Sequence, residues 1–99
     1  MGEPMASGNW HVKEGKEQEF IERWQEFLGW TRDTQPGLVG ASLMRDQADG
    51  AHFISDSEWK DADTRDAWRQ EEGFAKGFAA CRALCDDFYG GDYERVVAV

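Results

Sequence analysis

Alternation and helical spacing of apolar positions divide the chain into a short series of elements. Residues 5–13 alternate, with Trp10 and Val12 on one face and Asn9 and His11 on the other, the period of a half-buried strand. From residue 16 to about 32, Phe20, Trp24, Phe27, Leu28 and Thr31 recur at helical spacing, while Glu17, Glu19, Glu22 and Glu26 form a solvated face. Thr34-Gln35-Pro36-Gly37 ends this helix, because proline cannot continue it and glycine releases the chain into a turn. Residues 38–45 read as a second strand. The Asp- and Gly-rich stretch 46–50 reads as a hairpin loop leading into a third strand over 51–59. Asp61 is placed to cap a helix running to about residue 70, and Gly73 marks a break before a second helical segment over 74–86. Gly90-Gly91 then reads as a turn, with Tyr93, Val96, Val97 and Val99 forming a last strand.

The order strand, helix, strand, strand, helix, strand predicts an α+β fold: a ferredoxin-like βαββαβ antiparallel sheet with its helices on one face. Strands two and three are expected as antiparallel neighbours, and strands one and three as parallel ones. In that arrangement His11, late in its strand, and His52, early in its own, stand far apart and make no metal pair. A sheet with one uncovered face normally needs a partner, so a homodimer packed sheet to sheet is expected.

Composition limits what this frame can do. At 99 residues the chain is one domain, 1–99, near the lower end of the size a single core can support. Five Trp, six Phe and two Tyr mean that the core is built on rings. A net charge of -9, with acidic groups spread along the chain, repels phosphate backbones and anionic lipid, so neither nucleic acid nor membrane is an expected partner. No apolar run approaches a membrane span and residues 1–7 lack the regions of a secretory signal, so a cytoplasmic location is expected. Cys81 and Cys85 fall four apart in a stretch read as helix, where the Cβ directions suit a disulfide poorly, and they read as small buried thiols.

The candidate chemistry lies in the aromatic residues. Trp59 ends strand three, Trp68, Phe74 and Phe78 follow on helix two, and Trp24 and Phe27 project from helix one. These six either fill a packed core or line a cleft that takes a small aromatic ligand; a cavity or a filled interior separates the two readings. Polar partners for such a ligand are scarce. His11, His52 and Asn9 with a bound water are the candidate bases, yet alternation puts both histidines on the face opposite Trp10 and Phe53, toward the dimer. Tyr89 and Tyr93 offer phenols that no spacing selects. Trp30 falls off the apolar stripe of helix one and reads as a rim or dimer contact.

The order and size of the elements, Val12-Lys13-Glu14-Gly15-Lys16-Glu17-Gln18-Glu19-Phe20, the turn Gln35-Pro36-Gly37, and Glu58-Trp59 followed by Trp68 and Gly73-Phe74 resemble the antibiotic biosynthesis monooxygenase family. The resemblance implies a dimeric α+β barrel. Ile21-Glu22-Arg23-Trp24 and the stretch from Trp59 to Phe74 are similar in texture to the bacterial haem-degrading members. For those members the resemblance implies an axial His, a Trp that distorts the macrocycle, and an Asn on strand one. Here the Trp falls on Trp68, the axial His on Phe78, which cannot ligate iron, and the Asn on Gly8, one residue from Asn9. Haem degradation is therefore disfavoured, and no cofactor is expected. Other members resemble cofactor-free oxygenases in which a deprotonated phenol yields a carbanion that reacts with oxygen. The reading that follows is a cofactor-independent monooxygenase of a small aromatic or quinone-like substrate, with Trp68 and Asn9 as catalytic candidates. The alternative is a non-catalytic dimeric ligand-binding or stress-associated protein.

Overall fold

The computed structural model describes residues 2–99. Its elements are β1 (Glu3–Val12), α1 (Glu17–Thr34), β2 (Leu38–Arg45), β3 (His52–Trp59), α2 (Ala62–Arg69), α3 (Glu72–Arg82) and β4 (Cys85–Arg95). The sheet order is β2-β3-β1-β4 with every neighbouring pair antiparallel, the ferredoxin-like α+β arrangement. On β3 the buried residues are Phe53, Ser55, Ser57 and Trp59, and on β1 Ala6, Gly8, Trp10 and Val12, so one sheet face is consistently inside. Helix α1 lays Phe20, Trp24, Phe27 and Thr31 against that face. Gly15 turns the chain from β1 into α1 at φ 85°, a conformation that a side chain would strain.

The segments 38–45 and 16–32 are close to the observed β2 and α1, and Asp61 caps α2 as expected, accepting from the Thr64 backbone N–H at 2.8 Å. Three expectations are corrected. First, β1 and β3 are antiparallel. The α1 crossover makes β1 and β2 co-directional, and the hairpin after β2 reverses β3 before it slots between them. His11 is consequently opposite His52 in register, not remote from it.

Second, Gly90-Gly91 is not a turn. Both glycines lie inside β4, which begins at Cys85 and ends at Arg95, leaving Val96, Val97 and Val99 beyond the strand. The reason is steric: a Cβ at Gly90 would stand 2.5 Å from the Phe88 ring, and one on its partner Gly8 would stand 2.8 Å from the same ring. The glycines let the phenyl ring of Phe88 lie along the strands. Third, the break between helices falls at Gln70 and Glu71, and Gly73 belongs to α3. A Cβ at Gly73 would meet the Trp30 ring at 2.2 Å, and one at Gly77 the Phe27 ring at 2.4 Å. Small residues four apart on α3 thus admit two rings of α1. Trp30 is accordingly half-buried against α3, stacked on Phe27 with centroids 6.3 Å apart.

Helix α3 also stops at Arg82, short of Cys85, whose thiol donates to the Cys81 carbonyl at 3.4 Å and satisfies a helix-end oxygen. Both cysteines are free and buried. Burial pushes the Cys81 thiol up to about 12 and the Cys85 thiol up to about 11. The opposite sheet face mixes Ile54, Met44, Tyr89 and Tyr93 with Ser7, Asn9 and Asp56. Of these, Met44, Tyr89 and Tyr93 are at least half exposed. Among the described residues no helix is long and apolar enough to cross a membrane.

Candidate active site

Between the inner sheet face and the three helices the rings do not fill the interior. They line a half-open cavity of about 360 Å³, within the size range of small-molecule sites. Helix α1 contributes Trp24, Phe27 and Leu28. Helix α2 adds Trp68, α3 adds Phe74 and Phe78, and the sheet supplies Trp10 and Phe88. Five of the six residues singled out as substrate-binding therefore line one cavity: Trp24, Phe27, Trp68, Phe74 and Phe78. The sixth, Trp59, is 1% exposed and stands behind it, its ring centroid 4.8 Å from that of Trp68.

The rings brace one another. Trp68 meets Phe74 edge to face at 4.7 Å and stacks on Phe27 at 5.9 Å, Phe74 stacks on Phe78 at 5.8 Å, and Trp10 contacts Phe78 at 5.5 Å. Such pairs each add roughly 0.5–1.5 kcal/mol beyond area burial, so the wall keeps its shape around the space it surrounds. The glycines contribute space. Gly8 and Gly90 line the cavity on the inner sheet face, where side chains would enter it.

Buried indole N–H groups need acceptors, and three are supplied by hydroxyls. Trp10 Nε1 donates to Ser55 Oγ at 3.0 Å, Trp59 Nε1 to Ser57 Oγ at 2.9 Å, and Trp68 Nε1 to Thr31 Oγ1 at 3.2 Å. Thr31 Oγ1 in turn donates to the Phe27 carbonyl at 2.9 Å, which fixes its direction and that of the Trp68 indole. Ser55, Ser57 and Thr31 also line the cavity. Reasoning from ring spacing misses these hydroxyls, although strand alternation does place Ser55 and Ser57 between Phe53 and Trp59 on the inner face. Two small polar residues on an otherwise aromatic strand face are the signal that marks them.

The charged groups sit at the cavity edge. Arg69 on α2 pairs with Asp92 on β4, and Arg65 Nη2 approaches the same carboxylate at 3.8 Å. The Arg69 hydrogen bond and charge hold the Asp92 carboxyl below the usual carboxylate range, against the opposing effect of partial burial. A carboxylate pinned in this way is a weak base at neutral pH.

Asn9 is not brought to the cavity. Its side chain lies on the opposite sheet face, with Oδ1 2.8 Å from His52 Nε2, while His52 Nδ1 is 3.0 Å from Asp46 Oδ2. His11 stacks on His52 with ring centroids 4.8 Å apart. Asn9, His11, His52 and Asp46 thus form one polar cluster on the face away from Trp68. Tyr89 and Tyr93 share that face and are exposed. Among the described residues no group of three or more His, Cys, Asp or Glu side chains is disposed to hold a metal ion. A haem does not fit this lining: it contains no His, Cys, Met or Tyr side chain to serve as an axial ligand, and Phe78 presents a phenyl ring.

Comparison with known proteins agrees with the architecture. A mutant form of SnoaB from Streptomyces nogalater, described as a cofactor-independent oxygenase, superposes with a TM-score of 0.91 at 21% identity, over 100% of this chain and 98% of that one. A conserved protein from Methanosarcina mazei Go1 gives a TM-score of 0.86 at 19% identity over 96% and 94% of the two chains. PA3566 from Pseudomonas aeruginosa gives 0.80 at 14% identity over 98% and 97%. At these identities the likeness is one of fold. No curated protein sequence matches the chain. The family model for antibiotic biosynthesis monooxygenases, however, matches residues 5–80, most of the sequence. The chain belongs to the antibiotic biosynthesis monooxygenase family.

Proposed function

We propose that the cavity is the site of a cofactor-independent monooxygenase acting on a small aromatic or quinone-like substrate. The observation that carries the reading is the cavity of about 360 Å³ walled by Trp24, Phe27, Trp68, Phe74 and Phe78, where a merely structural aromatic core would be filled. SnoaB, of similar fold, is described as a cofactor-independent oxygenase. An aromatic substrate acidified by its own hydroxyl or carbonyl supplies the electrons: loss of a proton gives a carbanion, which adds oxygen. A CH₂ carbon then becomes C=O while the second oxygen atom leaves as water, so the balance needs no outside reductant. In this reading Trp68, held by Thr31 and braced by Phe74, shapes the pocket over the reacting ring. The paired Asp92 is a poor proton acceptor, which places the burden of ionisation on the substrate and bound water.

The uncovered sheet face bearing Met44, Ile54, Tyr89 and Tyr93 is read as the contact with a second copy of the chain. A non-catalytic ligand-binding protein is the second reading, favoured by two observations: both imidazoles lie on the far face of the sheet, and the cavity-edge carboxylate is tied to arginines. Oxygen consumption with a panel of anthrones and hydroquinones separates the two. Uptake by the protein alone, without added metal or cofactor, is the expected result. Tight binding of these compounds with no uptake from any of them would leave the binding protein.

A further inference from the structure

Ser55 and Ser57 stand on the inner face of β3 between Phe53 and Trp59. Each is 7% exposed, faces the cavity and accepts an indole N–H, Ser55 from Trp10 and Ser57 from Trp59. A hydroxyl has one donor hydrogen and two acceptor lone pairs. Trp N–H groups only donate, so each indole fixes its serine as an acceptor on one side. Among the described residues the hydroxyl hydrogens themselves have no acceptor. Two buried O–H donors are thus left to the cavity, about 7 Å apart by the rise of alternate strand residues. A buried donor without a partner is unfavourable, and around it the space is kept open: a Cβ at Gly8 would come within 3.2 Å of Ser55 Oγ.

We propose that Ser55 and Ser57 form an oxygen-recognition subsite, in which each hydroxyl donates to a separate carbonyl, phenolic or enolate oxygen of a ring-shaped ligand lying against Trp68 and Phe78. The ligand class is an aromatic ketone, phenol or quinone; a bare aromatic hydrocarbon fits the rings and leaves both donors unmet. The inference rests on the proposed aromatic-substrate site and adds the groups that orient the substrate oxygen. Donors aimed at that oxygen also stabilise the negative charge it gains when the substrate ionises.

The test is binding without turnover, by anaerobic equilibrium dialysis of 1-tetralone and of tetralin, which has the same skeleton without the carbonyl. The wild-type protein is expected to prefer the ketone, and this preference ratio is the readout. The single ketone oxygen engages one of the two hydroxyls, and loss of that hydrogen bond is expected to lower the ratio about fivefold in one of the variants. Because Ser→Ala alone strands a buried indole N–H, the variants are paired: Ser57→Ala with Trp59→Phe, and Ser55→Ala with Trp10→Phe. Tetralin binding, with near-ultraviolet circular dichroism, reports whether the pocket is still formed. A lower ratio with tetralin binding retained supports the subsite. An unchanged ratio in both folded variants, or no wild-type preference, overturns it. Failure of the oxygenase reading shows instead as absent oxygen uptake with the ketone preference intact.

Discussion

Trp68 is where residue-scale chemistry and packing meet. Its indole donates to Thr31 Oγ1 and its ring is held by Trp59, Phe27 and Phe74. Trp68→Phe removes one neutral hydrogen bond, about 1 kcal/mol of stability, and loosens the wall over the substrate. Because small misplacements of a reacting ring are costly, turnover with the best substrate of the panel is expected to fall on the order of 10- to 100-fold. Full turnover in a folded Trp68→Phe protein would remove that residue from the mechanism. The cysteines make a separate prediction. Their folded pKa values, about 12 for Cys81 and about 11 for Cys85, lie above the ordinary thiol value. Above pH 9 the unfolded chain releases protons that the folded one retains, so stability is full below pH 9 and declines as pH rises toward the folded values. Urea titrations at pH 8 and pH 10 are expected to show a lower midpoint at pH 10. The native protein at pH 8 is expected to leave both thiols unlabelled by a thiol reagent that labels both in denaturant.

At the scale of elements, α3 docks on α1 through Gly73 and Gly77, which admit the rings of Trp30 and Phe27. Helix propensity alone says that Gly77→Ala stabilises by about 1 kcal/mol. Packing says the reverse, since the new methyl would enter the Phe27 ring, and overpacking typically costs about 1–3 kcal/mol. The folded protein is therefore expected to lose stability in chemical denaturation, and a gain would show that the helices separate freely. These elements also show what is legible in the sequence. β2 and α1 are marked locally, by Pro36-Gly37 and by ring spacing, and their expected bounds lie within a few residues of the observed ones. Gly90 and Gly73 mislead because their reason is a ring that local punctuation does not reveal, Phe88 in one case and Trp30 in the other. The antiparallel pairing of β1 with β3, and with it the His11–His52 stack, follows from topology rather than from either strand's composition. The ring residues of the cavity are visible in the pattern; the space between them is not, because spacing gives direction and not volume.

At the scale of the whole molecule, charge and the uncovered sheet face act against each other. Met44, Tyr89 and Tyr93 are at least 50% exposed around Ile54, while each chain carries a net charge of -9. In the proposed dimer the apolar groups favour association and the charges oppose it, so added salt tightens the dimer by screening. Sedimentation is expected to find a dimer at micromolar concentration, more stable at high salt, and Ile54→Arg is expected to yield monomers. A wild-type monomer under the same conditions would contradict the assignment of that face. The proposed dimer contact and the cavity lie on opposite sides of one sheet, so loss of the first leaves the second to be tested by itself. In the proposed reaction this cavity inserts one atom of molecular oxygen into an aromatic substrate with no added cofactor. Turnover of an anthrone under ¹⁸O₂, in chelator-treated protein, tests it most directly. One ¹⁸O atom in the new carbonyl of the product is the result predicted; product oxygen drawn from water, or no product above the rate without protein, would contradict it.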